Sequence, residues 1–240
     1  MVAINCDMGE SFGIYHCGDD EGLMPFVTVA NVACGFHASD PRVMTQTVRL
    51  AKAHGVKVGA HPSLPDKEGF GRREMKLDRD ELTAACVYQI GALSGFLRAE
   101  GMELNHVKAH GSLYGMAARD EEVAAALADA ADVFGAPLMG MAGTVHEKVW
   151  GDRKAGFISE YYADLDYRDD GSLIITRVHE AFDPQTSAAG AVRAVTEGRA
   201  TSVNGKELPV RADCVCVHSD TPNAVELARA VHDALAPHLT

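Results

Sequence analysis

The stretch HVKAHGSLYG, residues 106–115, sets His106, Lys108 and His110 at alternate positions before the chain turns at Gly111. In an extended segment, side chains at i, i+2 and i+4 share a face, so one surface collects an ammonium and two imidazoles. When charged, these groups repel one another, and anions or neutralisation must intervene. The plain alternative is a half-exposed strand with a polar outer face.

Other residues capable of chemistry fall at comparable places. Asn5, Asp7 and Glu10 close the first apolar run, Asn31, His37 and Asp40 the second, and His61 the third. Lys108 and His110 follow the fourth, Glu160 and Asp164 the sixth, and His218 and Asp220 the seventh. Several have quieter roles open to them. Asp40 before Pro41 has the signature of a helix N-cap. His106 falls early in its run, where a structural or surface place suits it. Cys214 and Cys216 alternate toward one face as core residues do. His54, His179, His232 and His238 are expected to meet solvent. Cys34 lies near the same rim, where a thiol can act as a nucleophile, although a core place is the plainer reading. The segment GFGRR, residues 69–73, offers Arg72 and Arg73 as a clamp for a carboxylate or phosphate, or as solvated loop charges. It lacks the spacing of either common phosphate loop, so no nucleotide site is read from it.

Strand-like runs at 2–7, 26–35, 56–61, 105–110, 137–143, 157–165 and 214–220 must position these residues. Helical patterns at 41–54, 78–100, 119–134, 144–154, 185–198 and 221–236 lie between them. Asp40-Pro41, Asp78 and Thr221-Pro222 are start signals, and Gly55 and Gly101 suit left-handed C-caps. The repeated strand-helix-strand order implies parallel strands with right-handed crossovers. The expected fold is therefore α/β: a seven-stranded β/α barrel, closed or incomplete, in a single domain over residues 1–240. An open doubly wound sheet is the alternative. The segment 166–210 fits least well. SLIITRV and ATSVNGKELPV read as added strands, the second with a hairpin at Asn204-Gly205. In parallel β/α folds the carboxyl ends of the strands share one rim, where ligands bind. Polar endings on six of seven strands predict an active site on that rim.

The formal net charge of -12 disfavours nucleic acid and anionic membrane as partners. No apolar run approaches the roughly 18 residues of a membrane span. MVAINCDMGE has no basic region leading into an apolar core, and the six cysteines contain no CxxC pair. A cytoplasmic protein with reduced thiols is expected.

The motifs NCDMGESFG, ANVACGFHASDP, GAHPSLPDKEGFGRR, YQIGAL, HVKAHGSLYG and CVHSD run in this order across residues 5–220. Together they resemble the LamB/YcsF family, which is associated with 5-oxoprolinase. The resemblance implies a β/α barrel of the glycoside hydrolase/deacetylase type. It also implies ATP-dependent opening of the lactam 5-oxoproline to glutamate, in concert with two other 5-oxoprolinase subunits. ATP is then expected on the partners, since this chain has no phosphate loop. Asp7, His37, His61, Lys108, His110, Glu160 and His218 match the family pattern. On this reading Asp7, His61, Lys108 and His110 are catalytic candidates in a solvent-accessible cleft. Asp7 or His61 serves as general base, Lys108 stabilises developing negative charge, and His110 donates to the departing nitrogen or orients another group. Asn5, Asn31, His37, Arg72, Glu160 and His218 are candidates for substrate binding. The chain departs from the family pattern at Ala109, Ser112 and Gly115, at Ser219, and at Leu165, where an arginine is usual; loss of that arginine bears on substrate choice. Two other functions stay open. One is a metal-dependent amidohydrolase or deacetylase acting alone, with a divalent metal on Asp7, His37 and His61 and on His110 or His218. The other is a non-catalytic component that binds or scaffolds its partners.

Overall fold

Asp40 caps its helix as its sequence context requires: one carboxylate oxygen accepts from the backbone N–H groups of Arg42 and Val43, and Pro41 opens the first turn. Gly55 ends that helix at φ 69°, a left-handed conformation that costs glycine little. Asp78, Asp120 and Asp183 cap three further helices in the same way. The computed structural model describes residues 1–174 and 180–239. Its helices are α1 (Asp20–Leu23), α2 (Pro41–His54), α3 (Arg79–Ala99), α4 (Gly111–Ala117), α5 (Glu121–Phe134), α6 (Val145–Trp150), α7 (Pro184–Glu197) and α8 (Ala224–Leu235).

The seven expected barrel strands are β1 (Ala3–Met8), β2 (Val29–Ala33), β3 (Lys57–His61), β4 (Leu104–Val107), β5 (Leu138–Gly140), β6 (Phe157–Tyr162) and, last in the chain, β11 (Cys214–Val217). They form a closed parallel barrel in the order β1-β11-β6-β5-β4-β3-β2. The register Ala3↔Cys214 to Cys6↔Val217 seals it, which excludes the open-sheet alternative. Four short strands, β7 (Asp166–Tyr167), β8 (Leu173–Ile174), β9 (Arg199–Thr201) and β10 (Glu207–Pro209), make two antiparallel pairs outside the barrel. The pair β9–β10 is the hairpin expected at Asn204-Gly205, with Gly205 at φ 81°. The remainder of SLIITRV and His179 lie outside the described residues.

Two local expectations need correction. The chain does turn at Gly111, which takes φ 57°, but GSLYG then winds into α4 directly behind His110, where no helix was expected. Thr221 does not cap α8, which begins at Ala224; its hydroxyl faces Asp164 Oδ2 at 3.4 Å instead.

Alternation along the strands sorts two environments. Ile4, Cys6, Met8, Ala30, Val32, Val58, Ala60, Val215 and Val217 enter the apolar core. The intervening positions fill the barrel with polar groups. In the lowest polar layer His106 Nε2 bonds Asn31 Oδ1 at 2.6 Å, and Asn31 Nδ2 donates to Asn5 Oδ1 and Asp7 Oδ1, each at 2.7 Å. Asn5 Nδ2 reaches Cys214 Sγ at 2.9 Å. His106 is thus fully enclosed, and the half-exposed reading of its strand does not hold. Gly59 on β3 makes room for it: a Cβ there would sit 2.0 Å from His106 Cε1.

Candidate active site

Backbone pairing continues past the formal end of β4. Lys108 N–H donates to Ala60 O and His110 N–H to Pro62 O, so the i, i+2 alternation persists and both side chains face the barrel mouth. Lys108 Nζ lies 3.2 Å from Asp7 Oδ1, Glu160 Oε2, Asn5 Oδ1 and Cys216 Sγ. Its side chain is only 2% exposed, so it forms the floor of the cleft, not a solvent-accessible arm. Burial pulls its pKa down, but Asp7, Cys216 and Glu160 outweigh this and hold it well above the usual lysine value. Asp7 gains reciprocally. Burial favours its neutral form, yet His61 and Lys108 keep its carboxyl well below the ordinary range. The outcome is a fixed carboxylate–ammonium pair beneath a cavity of about 60 Å³.

His61 Nε2 faces Asp7 Oδ2 at 3.2 Å, and its Nδ1–H donates to Lys108 O at 2.7 Å. His110 Nδ1 lies 3.0 Å from His61 Nε2 and 3.3 Å from Glu10 Oε1, and its Nε2–H donates to Phe70 O at 2.8 Å. His37 stacks on His110 with ring centroids 3.8 Å apart, and its Nε2 meets Glu10 Oε1 at 3.1 Å. Burial pushes His37 and His110 well below the normal imidazole pKa and raises Glu10. Ligand atoms of Glu10, His37, His61 and His110 all lie within 4.8 Å of one another, a group that could hold a metal ion.

On the opposite wall His218 Nδ1–H donates to Asp164 Oδ1 at 2.8 Å, while His218 N–H donates to Asp164 Oδ2. Burial alone would lower this imidazole, but the Asp164 carboxylate raises its pKa to about 9. It therefore carries charge at neutral pH. Arg72 Nη2 bonds Asp220 Oδ2 at 2.6 Å at the rim, and Arg73 Nε bonds Asp66 Oδ1 at 2.8 Å. The two arginines do not make a joint clamp; Arg72 borders the cleft and Arg73 braces its own loop.

Asp7, His61, Lys108, His110, Arg72 and His218 all line the cavity. Asn5 and Asn31 do not: both are fully enclosed one layer below, where they fix Asp7 and Lys108. His37 backs His110 without reaching the cavity, and Glu160 lies under it beside Lys108 and Tyr162, whose hydroxyl donates to Glu160 Oε1 at 3.0 Å. Cys34 is buried, with its thiol pKa pushed up to about 12 by burial, which removes it as a nucleophile. Glu10, Asp164 and Tyr162 join the site without having been assigned a role from sequence. The signal for Glu10 was the Gly9 before it, which takes φ 69° directly after β1 ends at Met8.

A family model for the LamB/YcsF family matches residues 2–239. A 5-oxoprolinase subunit of Thermus thermophilus is 48% identical over 240 residues, 98% of this chain and 95% of that protein. The "Lactam utilization protein lamB" of Emericella nidulans is 47% identical over 230 residues, 94% of this chain and 90% of its own length. A crystal structure of a lactam utilization protein from Thermus thermophilus superimposes with a TM-score of 0.90 at 47% identity, covering 98% of this chain and 96% of that one.

Proposed function

Because the chain belongs to the LamB/YcsF family, we propose that it is the barrel component of a 5-oxoprolinase that opens 5-oxoproline to glutamate with ATP. Two other subunits complete the enzyme and bind the nucleotide. The observation that carries this reading is the base, buried cation and charged imidazole around one cavity, in a chain 48% identical to a 5-oxoprolinase component.

A five-membered lactam is a stable amide and water a weak nucleophile. Transfer of the ATP γ-phosphoryl group to the amide oxygen makes the carbon electrophilic; water then adds, the ring nitrogen departs as the amine to leave an acyl phosphate, and a second water releases phosphate and the glutamate carboxylate. Asp7, faced by His61, accepts the proton of the attacking water. Lys108, held cationic beneath, stabilises negative charge developing on oxygen. The proton of neutral His110 is engaged by Phe70 O, so His110 is a poor donor to the nitrogen. His218, kept protonated by Asp164, is the better acid.

The test is glutamate release from 5-oxoproline by the purified chain, alone and with its partner subunits, with and without ATP. Turnover is expected only with partners and ATP together. Robust ATP-independent hydrolysis by the isolated chain would favour the lone hydrolase, and complex activity untouched by His61→Ala would favour the scaffold.

Leu165 borders the same cavity. Leu165→Arg, which restores the usual family residue, is expected to lower KM for 5-oxoproline about tenfold. A charge-assisted bond to the substrate carboxylate is worth roughly 1.5–3 kcal/mol. Equal KM for parent and variant across several lactams would break the link between this position and substrate choice.

A further inference from the structure

The protons around the cleft can be counted. The carbonyl of Lys108 only accepts, so His61 carries a proton on Nδ1, and the neutral ring then presents a lone pair at Nε2. The carbonyl of Phe70 fixes His110 in the opposite sense, with its proton on Nε2 and a lone pair at Nδ1. These two lone pairs point at one another across 3.0 Å. Glu10 Oε1 lies 3.3 Å from His110 Nδ1, and Asp7 Oδ2 3.2 Å from His61 Nε2. Four acceptors thus crowd one spot in the buried cleft. An added proton on His61 would bridge its own contacts but leave Glu10 facing His110 lone pair to lone pair.

The spacing has a simpler origin. Ligands about 2.0–2.1 Å from a tetrahedral ion lie roughly 3.3 Å from one another. Metal-bound imidazoles also donate their second N–H to a carbonyl or carboxylate, which fixes the tautomer; His61 and His110 both do so. His37 lacks this feature: its Nδ1 has no hydrogen-bond partner among the described residues, while its Nε2–H is directed at Glu10 Oε1. We propose that Glu10, His61 and His110 bind one divalent transition metal of the zinc class, with His37 orienting Glu10. The fourth position opens to the cleft beside Asp7, where a bound water would be placed for deprotonation. Metal binding follows from the donor geometry; only the use of that water rests on the hydrolytic reading above.

The test separates the two. The purified full chain is titrated with Zn²⁺ and, in parallel, with Co²⁺, whose visible absorption reports tetrahedral nitrogen and oxygen ligation. One equivalent of zinc is expected to survive gel filtration and raise Tm, and Co²⁺ is expected to give the tetrahedral spectrum. Glu10→Gln and His110→Ala should each weaken binding at least about tenfold, while His218→Gln, outside the ligand set, should not. Circular dichroism of each apo variant confirms folding, and the Co²⁺ spectrum of the unaltered chain stands even where a variant does not fold. Absence of stoichiometric binding to the unaltered chain at micromolar metal would overturn the site in favour of a cluster held by protons alone. Binding unchanged in both ligand variants would overturn it as well. Metal bound without lactam turnover in the assembled complex would leave the site intact and refute the assigned reaction.

Discussion

Lys108→Met is expected to reduce turnover by the assembled complex about 10²–10³-fold, the range seen when a donor to developing negative charge is removed. It should also reduce stability, because Asp7 and Glu160 then face each other's charge with the ammonium gone. Breaking a buried ion pair by removing one partner costs about 3–5 kcal/mol. The two effects can be resolved. Urea denaturation gives the stability loss, and Lys108→Met combined with Glu160→Gln should recover part of it by removing one orphaned charge. The double variant should remain inactive, because the cation beneath the reacting oxygen is still missing. Lys108→Arg should not restore the rate, since a planar guanidinium cannot occupy the point between Asp7, Asn5 and Glu160. A loss of turnover under tenfold in a folded Lys108→Met protein would assign Lys108 to structure alone.

Gly59→Ala should be among the most damaging single-methyl additions to this chain. The added Cβ would lie 2.0 Å from His106 Cε1 and 2.3 Å from both ring nitrogens, inside the volume of a ring locked by Asn31. Overpacking a tight core costs about 1–3 kcal/mol and occasionally more. We expect about 3 kcal/mol, at the upper end of that range, read as a lower denaturation midpoint with an unchanged m-value. His106→Ala in the same chain should relieve the clash and recover stability relative to Gly59→Ala alone. A Gly59→Ala protein within about 0.5 kcal/mol of the parent, the size of an ordinary surface change, would show that the polar layer is not rigidly packed.

These two positions also show how far a sequence can be read. The alternation of His106, Lys108 and His110 exposed a shared face, and the polar endings of the runs exposed a rim, because strand geometry has a period of two. Depth along the barrel has no such local signature. Asn5 and Asn31 resembled cleft residues, yet Asn5 lies two residues before Asp7 on β1, and Asn31, in register with Asp7, is fully enclosed beneath the cleft. The need for glycine at position 59 comes from the ring of His106, far along the chain, which no window on β3 contains. Phe70, 40 residues before its partner, sets which nitrogen of His110 carries the proton. Thr221 followed by Pro222 carried a good helix-start signal, but the hydroxyl was drawn to Asp164. Local chemistry was legible where periodicity carried it, and hidden where a distant backbone decided it.

The pairing of β1 with β11 has a consequence for the order in which the molecule is made. Asn5 and its sulfur partner Cys214 are 209 positions apart, and every barrel strand except β11 is synthesised before that partner emerges. Until then β1 and β6 present bare edges, the feature that invites pairing with a neighbouring chain. The cleft meanwhile lacks His218 and is open on one side. Such distant pairings slow folding, so a nascent chain must guard two edges through nearly all of its synthesis. Insertion of β11 ends that exposure and completes the cleft in the same event. A chain able to bind its ligand is thereby one whose edges have already been sealed.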